Sequence, residues 1–389
     1  MKQTKDFILG FQHLIAMFGA TTLVPLLTGL DVSVALFSAG IGTLIFHFCT
    51  ERKVPVFLGS SFAFIPVIIA VGNTMGLQYA QGGIIVAGIL YLLFAWLVKT
   101  VGIELINTLL PKYVIGTMIT IIGISLIPVA IDMALARWTV AFITLGAAVL
   151  VMLEKRGFSS QLSVLIAITV GYLMSIPLGL VDFSIIKEAS WISFPQFTSP
   201  KFNFEAIMII APVVLATFME HLGDITANGT IVGKNFLVNP GLHKTLVGDG
   251  LATAFAGFIG APANTTYGEN TGVLAITKNY DPRVLRIAAV FAVCLAFIGK
   301  IGAILASIPV AVLGGISLLL FGMIAKIGVF TLAEDQSWKS IQKTIVILVM
   351  LFLGLGSVEI WKFSGVSLAA LFGIVVNWLV VKLDFETGL

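Results

Sequence analysis

The sequence predicts an all-α polytopic membrane protein with fourteen transmembrane segments. Of its 389 residues, 58% are hydrophobic and only 11% are charged, and the mean hydropathy is +1.08. This composition lies far outside the range of soluble globular proteins. A helix needs roughly 20 apolar residues to cross the hydrocarbon core of a bilayer, and windows of this kind recur along the whole chain.

Fourteen windows are assigned as spans and numbered by their order in the chain. Their approximate bounds are 7–29, 33–50, 54–71, 82–100, 111–131, 137–154, 162–180, 205–228, 243–260, 262–279, 284–306, 308–328, 341–358 and 364–382. With a cytoplasmic N-terminus, this count places most of the 22 lysines and arginines in cytoplasmic segments, as the positive-inside rule requires. We therefore predict a multi-pass protein of the plasma (inner) membrane with both termini in the cytoplasm.

Charge and cysteine usage exclude several other classes. The formal net charge is only +3, and no basic run exceeds two or three residues, so no nucleic-acid partner is expected. Cys49 and Cys294 are single and lie in apolar spans, where packing is the expected role. No metal site and no cofactor are predicted.

Three motif pairs recur about half a chain apart. Gln12-His13-Leu14 returns as Glu220-His221-Leu222, Pro55 ahead of a glycine break returns as Pro262, and Pro111 with Gly116 returns as Pro309 with Gly314. Each offset moves seven spans along, and because seven is odd the second copy must have inverted topology. Inverted repeats with interrupted helices are typical of secondary transporters, with the substrate near the membrane midplane. The alternative is chance, since Pro and Gly are frequent in membrane helices.

Spans 3 and 10 are predicted to be broken. The runs Gly59-Ser60-Ser61-Phe62 and Asn264-Thr265-Thr266-Tyr267-Gly268 contain residues that are poor in helix interiors, and several of them favour extended backbone. We expect a short extended piece at each break, with the two pieces facing each other. Each piece should be followed by a half-helix whose N-terminus points at a cavity.

Few ionisable residues are recognised deep within the predicted spans: Glu220, His221 and Asp224 in span 8, and Glu269 in span 10. Ionisable groups at membrane depth are costly and usually line a functional cavity. Glu220 and Asp224 are four residues apart and share a helical face, whereas His221 is turned about 100° away from Glu220. A polar cluster that merely ties helices together is the alternative.

The order of these residues resembles the nucleobase/ascorbate transporter family. The run from Glu269 to Lys278 (ENTGVLAITK) is similar to the signature of that family, and the run from Asn264 to Asn270 is similar to its uracil-permease branch. Gln12-His13, Gly59 to Phe64 and Glu220-His221 also match, so the resemblance covers essentially the whole chain.

The resemblance implies a fold and a mode of action. The fold has fourteen spans in two inverted repeats, with a core domain at 1–104 and 204–306 and a gate domain at 105–203 and 307–389. Members of the family move a nucleobase with protons or sodium, usually as homodimers, and the core slides past the gate in an elevator-type movement. An importer of uracil by proton symport is therefore expected.

The resemblance also implies roles for individual residues. Glu220 and Glu269 would bind the base directly, and Phe62 and Gly268 would contribute backbone groups from the two short strands. Tyr267 would line the pocket, and Ser61 is a further candidate for substrate binding.

One departure from the uracil-permease pattern leaves the base open. Uracil permeases typically continue Glu-His-x-Gly with a second His, whereas this chain has Asp224 there, as the purine and ascorbate branches do. A xanthine or other purine symporter, or one that carries both uracil and xanthine, is therefore an alternative.

Carboxyl chemistry suggests how a proton could be coupled to the base. An ionised carboxylate only accepts hydrogen bonds, whereas a protonated one also donates, so a Glu facing an N–H beside a carbonyl gains a second bond with its proton. The half-helix N-terminus favours ionised Glu269, so Glu220 or Asp224 is expected to carry the proton. His221 and Glu269 are further candidates for proton coupling, and sodium is the alternative ion.

Two other classes of membrane protein are alternatives. A membrane metalloprotease would need a His-Glu-x-x-His pattern, but the run from Glu220 to Asp224 offers only one His. An anion exchanger of similar repeat architecture, such as the sulfate and bicarbonate carriers, would need positive potential at the site, and this cluster is acidic.

Overall fold

Helices account for most of the chain. The computed structural model describes residues 2–153, 162–336, 340–356, 358–360 and 363–387. The helices are α1 (Lys2–Thr28), α2 (Val32–Cys49), α3 (Ile65–Thr74), α4 (Leu77–Val101), α5 (Ile103–Leu109), α6 (Lys112–Leu135), α7 (Trp138–Leu153), α8 (Ser163–Ser175), α9 (Phe183–Glu188), α10 (Phe204–Ile210), α11 (Val214–Val232), α12 (Leu242–Ile259), α13 (Gly268–Thr277), α14 (Pro282–Ala296), α15 (Gly299–Ala306), α16 (Val310–Asp335), α17 (Ile341–Leu355) and α18 (Gly365–Thr387). The short strands are β1 (Leu58–Ser60), β2 (Asn264–Thr266), β3 (Glu359–Ile360) and β4 (Phe363–Ser364).

The described helices are those of a multi-pass membrane protein. Six uninterrupted or nearly uninterrupted helical segments are long and apolar enough to cross a bilayer: α1, α2, α4, α6, α10 with α11, and α16. The pair α14 and α15 also passes this test but bends by 82° at its break. Shorter apolar helices cover 62–74, 138–153, 163–175, 341–355 and 365–379.

Extended backbone interrupts predicted spans 3, 10 and 11. In span 10 (262–279) residues 264–266 are extended, and α13 begins only at Gly268. In span 3 (54–71) the helical part begins only at Phe62, because residues 58–60 are extended, and it continues to Thr74. In span 11 (284–306) the helix breaks at Ile298, whose backbone is extended (φ −94°, ψ 93°) because it pairs with Ile192 in an antiparallel bridge.

The helices pack into two groups. The first helix group consists of α1–α4 and α10–α15, in which α12 packs along α4 and α2, and α14 packs along α2 and α1. The second helix group consists of α6–α8 and α16–α18, built around the long contact between α6 and α16. The groups meet where α11 contacts α6 and α18 and where α1 contacts α8.

Small residues bring helices close together within each group. A Cβ added to Gly88 of α4 would lie 2.5 Å from the backbone nitrogen of Ala254 in α12. A Cβ added to Gly123 of α6 would lie 2.3 Å from the backbone nitrogen of Ala325 in α16. Because lipid tails are as apolar as the side chains, close backbone packing of this kind is a main source of helix association in membranes.

Candidate substrate-binding site

Strands β1 and β2 pair with each other in the middle of the first helix group. The pairing is antiparallel, with Gly59 opposite Thr265. It is extended by a bond from Ser61 N to Ala263 O (2.8 Å) and by one from Tyr267 N to Phe57 O (3.0 Å). Unpaired backbone groups are costly away from water. Each break in a helix therefore supplies the hydrogen-bond partners that the other lacks.

Hydrogen bonds to the surrounding helices fix this strand pair. The bonds run from Leu58 N to Thr43 Oγ1 (2.9 Å), from Ser60 Oγ to Thr21 O (3.0 Å) and from Thr253 Oγ1 to Asn264 O (2.9 Å). Helices α2 and α12 contribute threonine side chains, and α1 contributes a backbone carbonyl. The two strands are therefore held from three sides, which makes them a rigid element.

Tyr267 is part of this support. Its hydroxyl donates to Ser60 O (2.8 Å), and its side chain is buried. The ring lies against Gly59, where an added Cβ would be 2.3 Å from the Tyr267 Cζ atom. The structure thus places Tyr267 across β1, with its hydroxyl occupied by the protein.

A helical turn follows each strand. Phe62 begins a 3₁₀ turn (Phe62–Phe64) that leads into α3, and Gly268 is the first residue of α13. The paired strands end at Ser60 and Thr266, so both residues lie just after the strands. Their contribution to substrate binding stays a prediction. Because the first N–H groups of a helix have no partner within it, residues at these helix starts can donate backbone hydrogen bonds to a ligand.

Three carboxyl groups are placed near the start of α13. Glu220 and Asp224 lie on α11, Glu269 lies in the first turn of α13, and these two helices contact each other. All three residues are half-buried. Gly268 is exposed, and a Cβ added to it would meet nothing within 4 Å. Open space therefore adjoins the helix start where Glu269 lies.

The three carboxyl groups have different partners. Asp224 Oδ2 accepts a hydrogen bond from Thr266 Oγ1 (3.1 Å), which ties α11 to β2. Glu220 Oε2 is a buried oxygen without a hydrogen-bond partner, and Glu220 lies close enough to Glu269 to interact with it electrostatically. Among the described residues, none of the three forms an ion pair with a lysine or arginine. The cluster therefore contains carboxyl oxygens that can accept further hydrogen bonds.

Ser61 and the Phe62 ring complete the surroundings of the break. Ser61 is buried, and its hydroxyl has no hydrogen-bond partner. The Phe62 ring packs edge-on against Phe321 of α16, with ring centroids 5.9 Å apart. The break in the first helix group therefore contacts the second group through an aromatic pair.

His221 points to another part of the protein. Its Nδ1 lies 2.8 Å from Asp249 Oδ2, and its Nε2 lies 2.9 Å from Thr245 Oγ1, both on α12. The side chains of His221 and Asp249 are fully buried. His221 therefore joins α11 to α12, on a different face of α11 from the carboxyl cluster.

Asp249 is not among the site residues predicted from the sequence, although its position in the chain marks it as unusual. It is an acidic residue between Gly248 and Gly250 in an otherwise apolar span, where a carboxylate needs a partner. The two glycines let α12 approach its neighbours: a Cβ on Gly248 would lie 2.7 Å from Phe46, and one on Gly250 would lie 2.8 Å from Tyr91.

Two residues of the predicted signature hold α13 in place. Asn270 Nδ2 donates to His13 O (3.0 Å) in α1, and Asn228 Nδ2 of α11 donates to Thr271 Oγ1 (3.1 Å). Asn270 and Asn228 are fully buried. The signature thus contains residues that position the half-helix as well as Glu269.

Metal binding finds no support in the described ranges. No group of three or more His, Cys, Asp or Glu side chains there is arranged to hold a metal ion.

Comparison with known proteins identifies the family. Residues 4–362 match the profile of Xan_ur_permease, described as a permease family. The "Probable uracil permease" of Haemophilus influenzae is 40% identical over 396 residues, which cover 98% of this chain and 96% of the relative. The "Uracil permease" of Bacillus caldolyticus is 40% identical over 390 residues, covering 95% and 90%. The chain therefore belongs to the nucleobase/ascorbate transporter family.

Solved structures support the fold. The chain resembles SLC26A9 with a TM-score of 0.74 at 14% identity, and the match covers 97% of this chain but only 65% of the longer SLC26A9 chain. It also resembles the transmembrane domain of the cyanobacterial bicarbonate transporter BicA, with a TM-score of 0.63 at 16% identity, covering 97% and 95%. At these identities the likeness concerns the fold alone.

A structural role for Asp249 can be tested by thermal unfolding. Replacing Asp249 by Ala leaves a ring nitrogen of the buried His221 without its partner, and an unsatisfied buried polar group typically costs about 1–3 kcal/mol. We expect a clear fall in the melting temperature of the purified protein. The double variant Asp249→Leu with His221→Leu should recover part of the loss, since no polar group is then left unpaired. A double variant less stable than Asp249→Ala would contradict this role.

Proposed function

We propose that this chain is a secondary active transporter that imports a nucleobase, with uracil as the favoured base, by proton symport. Two observations support it: uracil permeases are about 40% identical over nearly the whole chain, and three carboxyl groups without basic partners lie beside the start of α13. The second observation is the one that supports a proton-coupled mechanism.

The chemistry of uracil suits this site. Its ring carries two N–H groups, each beside a carbonyl, so it needs both acceptors and donors. Glu220 and Glu269 supply acceptors, and the first N–H groups of α13 and of the 3₁₀ turn at Phe62 supply donors. The positive end of the α13 dipole further favours a partly negative carbonyl oxygen there.

The similarity to uracil permeases favours uracil over a purine. Asp224 is the residue that departs from the uracil-permease pattern, but one of its oxygens is already engaged by Thr266. Glu220 and Glu269 are then the carboxyl groups available to form hydrogen bonds with the base. Xanthine is the second candidate because the purine branch also has Asp at this position.

Proton coupling is supported by the absence of a fixed cation. Glu220 interacts electrostatically with Glu269 and Asp249, and Asp224 does so with Glu220. None of Glu220, Asp224 and Glu269 is paired with a lysine or arginine in the described part of the chain. Adding a proton to Glu220 or Asp224 relieves this repulsion, and a proton on Glu220 also turns an acceptor into a donor for the base. Substrate and proton then stabilise each other's binding.

The same proposal includes the mode of movement. The core domain, 1–104 and 204–306, slides past the gate domain, 105–203 and 307–389, in an elevator-type movement, within a fold of fourteen spans in two inverted repeats. The protein works as a homodimer in the plasma (inner) membrane, with both termini cytoplasmic. The contact between Phe62 and Phe321 is one of the surfaces that must slide.

Uptake into proteoliposomes tests the proposed function. Radiolabelled uracil should accumulate when an inward proton gradient is applied, and a protonophore should abolish accumulation without any need for sodium. Unlabelled uracil should compete well, xanthine weakly, and sulfate not at all. Uptake that requires sodium and ignores the protonophore would overturn proton coupling, and competition by xanthine better than by uracil would reassign the substrate.

Replacing Glu269 by Gln tests direct recognition of the base. The change removes a charge-assisted hydrogen bond, which is worth about 1.5–3 kcal/mol, so uracil affinity should fall more than about tenfold. Thermal stabilisation of the purified protein by uracil measures the loss. The exposed Glu205→Gln on α10 is a matched control that should keep the full shift. A Glu269→Gln protein stabilised by uracil as strongly as the parent would refute the role.

Replacing Glu220 by Gln separates binding from coupling. Gln imitates the protonated carboxyl group, so the variant should still exchange uracil across the membrane but lose accumulation against a gradient. Counterflow of labelled uracil measures exchange, and gradient-driven uptake measures accumulation. Asp224→Asn provides the matched comparison. Accumulation that survives in Glu220→Gln and is lost in Asp224→Asn would assign the proton to Asp224.

A further inference from the structure

Residues 190–202 form an extended segment that we call the strap. It follows α9 and leads into α10, so it lies on the connection from the second helix group to the first. A single antiparallel bridge, between Ile192 and Ile298, is its only regular backbone pairing in the described structure. By sequence position the strap lies within the predicted gate domain.

The backbone of the strap is bonded to the first helix group at three places. At one end, Ser193 N donates to Phe297 O (3.0 Å) and Gly299 N donates to Trp191 O (3.1 Å). In the middle, Thr198 N donates to Ile259 O (3.3 Å), and at the other end Lys201 N donates to Gln78 O (2.9 Å). These partners lie on or beside α14, α15, α12 and α4.

Side chains add to this attachment. Gln81 Nε2 of α4 donates to Thr198 Oγ1 (2.7 Å), and the ring of Phe197 packs edge-on against Phe37 of α2 at 5.3 Å. Phe194 packs in the same way against Phe297 at 5.6 Å. The strap therefore has both polar and aromatic anchors on the first helix group.

Glycines of the first helix group form a groove for the strap. A Cβ on Gly82 would lie 2.2 Å from the Lys201 carbonyl oxygen, and one on Gly299 would lie 2.5 Å from the Ser190 carbonyl oxygen. Gly260 is equally close to the Thr198 hydroxyl. Such contacts leave no room for side chains, so the groove is fitted to this backbone.

The chain before the strap is attached differently. Lys300 Nζ of α15 donates to Ile186 O (2.5 Å), so the first helix group already holds the chain at α9. Residues 176–180, between α8 and α9, are all exposed. Gly179 has a positive φ of 67°, and a Cβ on it would meet nothing within 4 Å. The backbone bonds of this turn, from Gly179 N to Ile176 O (3.0 Å) and from Leu180 N to Ser175 O (3.2 Å), run to the end of α8 and not to the first helix group.

We propose that residues 186–202 belong to the moving core and that the hinge of this connection lies at 176–182, around Gly179. This inference rests on the proposed sliding of the core past the gate. Releasing the strap would break four backbone hydrogen bonds and three side-chain contacts, whereas an exposed glycine turn can absorb changes in φ and ψ at little cost. The domain boundary predicted between 203 and 204 then moves to the segment after α8.

A disulfide between strap and core tests the assignment. Ile192 and Ile298 are directly opposite each other, and the bonds on both sides make them a pair without mutual hydrogen bonds, the geometry with the closest side chains. Ile192→Cys with Ile298→Cys can therefore form a disulfide. The background is Cys49→Ala with Cys294→Ala, since these are the native cysteines. Uracil uptake is compared in the oxidised and reduced states of the same protein.

A second disulfide tests the sliding itself. A Cβ on Gly223 of α11 would lie 3.5 Å from Ile115 Cγ2 of α6, so Gly223→Cys with Ile115→Cys would join the two helix groups. Oxidation of this pair should abolish uptake, and reduction should restore it. Oxidation of the 192–298 pair should leave uptake intact, because both residues move together.

The two results are independent of each other. Loss of uptake on oxidation of the 192–298 pair, restored by reduction, would show that the strap must leave the core and would overturn the hinge assignment. Full uptake with the oxidised 115–223 pair would overturn the sliding movement on which this inference rests.

Discussion

Backbone pairing between two broken helices is the constraint on which the site depends. Inside a membrane no water satisfies free N–H and C=O groups, so neither Leu58–Ser60 nor Asn264–Thr266 could be extended alone. Each supplies partners for the other. This pairing brings residues more than 200 positions apart into contact and puts the start of α13 beside α11.

The second constraint is electrostatic. Three carboxyl groups near one helix start are costly to hold without a basic partner. The described structure offers them a Thr hydroxyl, the backbone N–H of Glu269 and the α13 dipole. Asp249 differs, because His221 lies beside it in full burial. The two kinds of acidic residue therefore differ in their contacts: Asp249 joins helices, whereas the other three carboxyl groups are those proposed to bind ligand and proton.

Sequence reasoning located the breaks and the carboxyl groups because both depend on local composition. Gly, Ser, Thr and Asn in an apolar context mark a broken helix, and a Glu at such a break stands out. The exact ends of the strands could not be predicted in this way, because they depend on which residues face each other across the fold. The His221 contact with Asp249 and the attachment of the strap were hidden for the same reason, since both join elements distant in the chain.

The most direct test of this account is uracil binding after a change in the strand pair itself. Gly59→Ala puts a methyl group where the Tyr267 ring lies, so the ring must leave β1 and disturb the start of α13. Calorimetry on the purified, monodisperse variant should show uracil binding lost, whereas Gly322→Ala, which meets nothing within 4 Å, should bind like the parent. An unchanged uracil affinity in Gly59→Ala would contradict the claim that the paired breaks build the site.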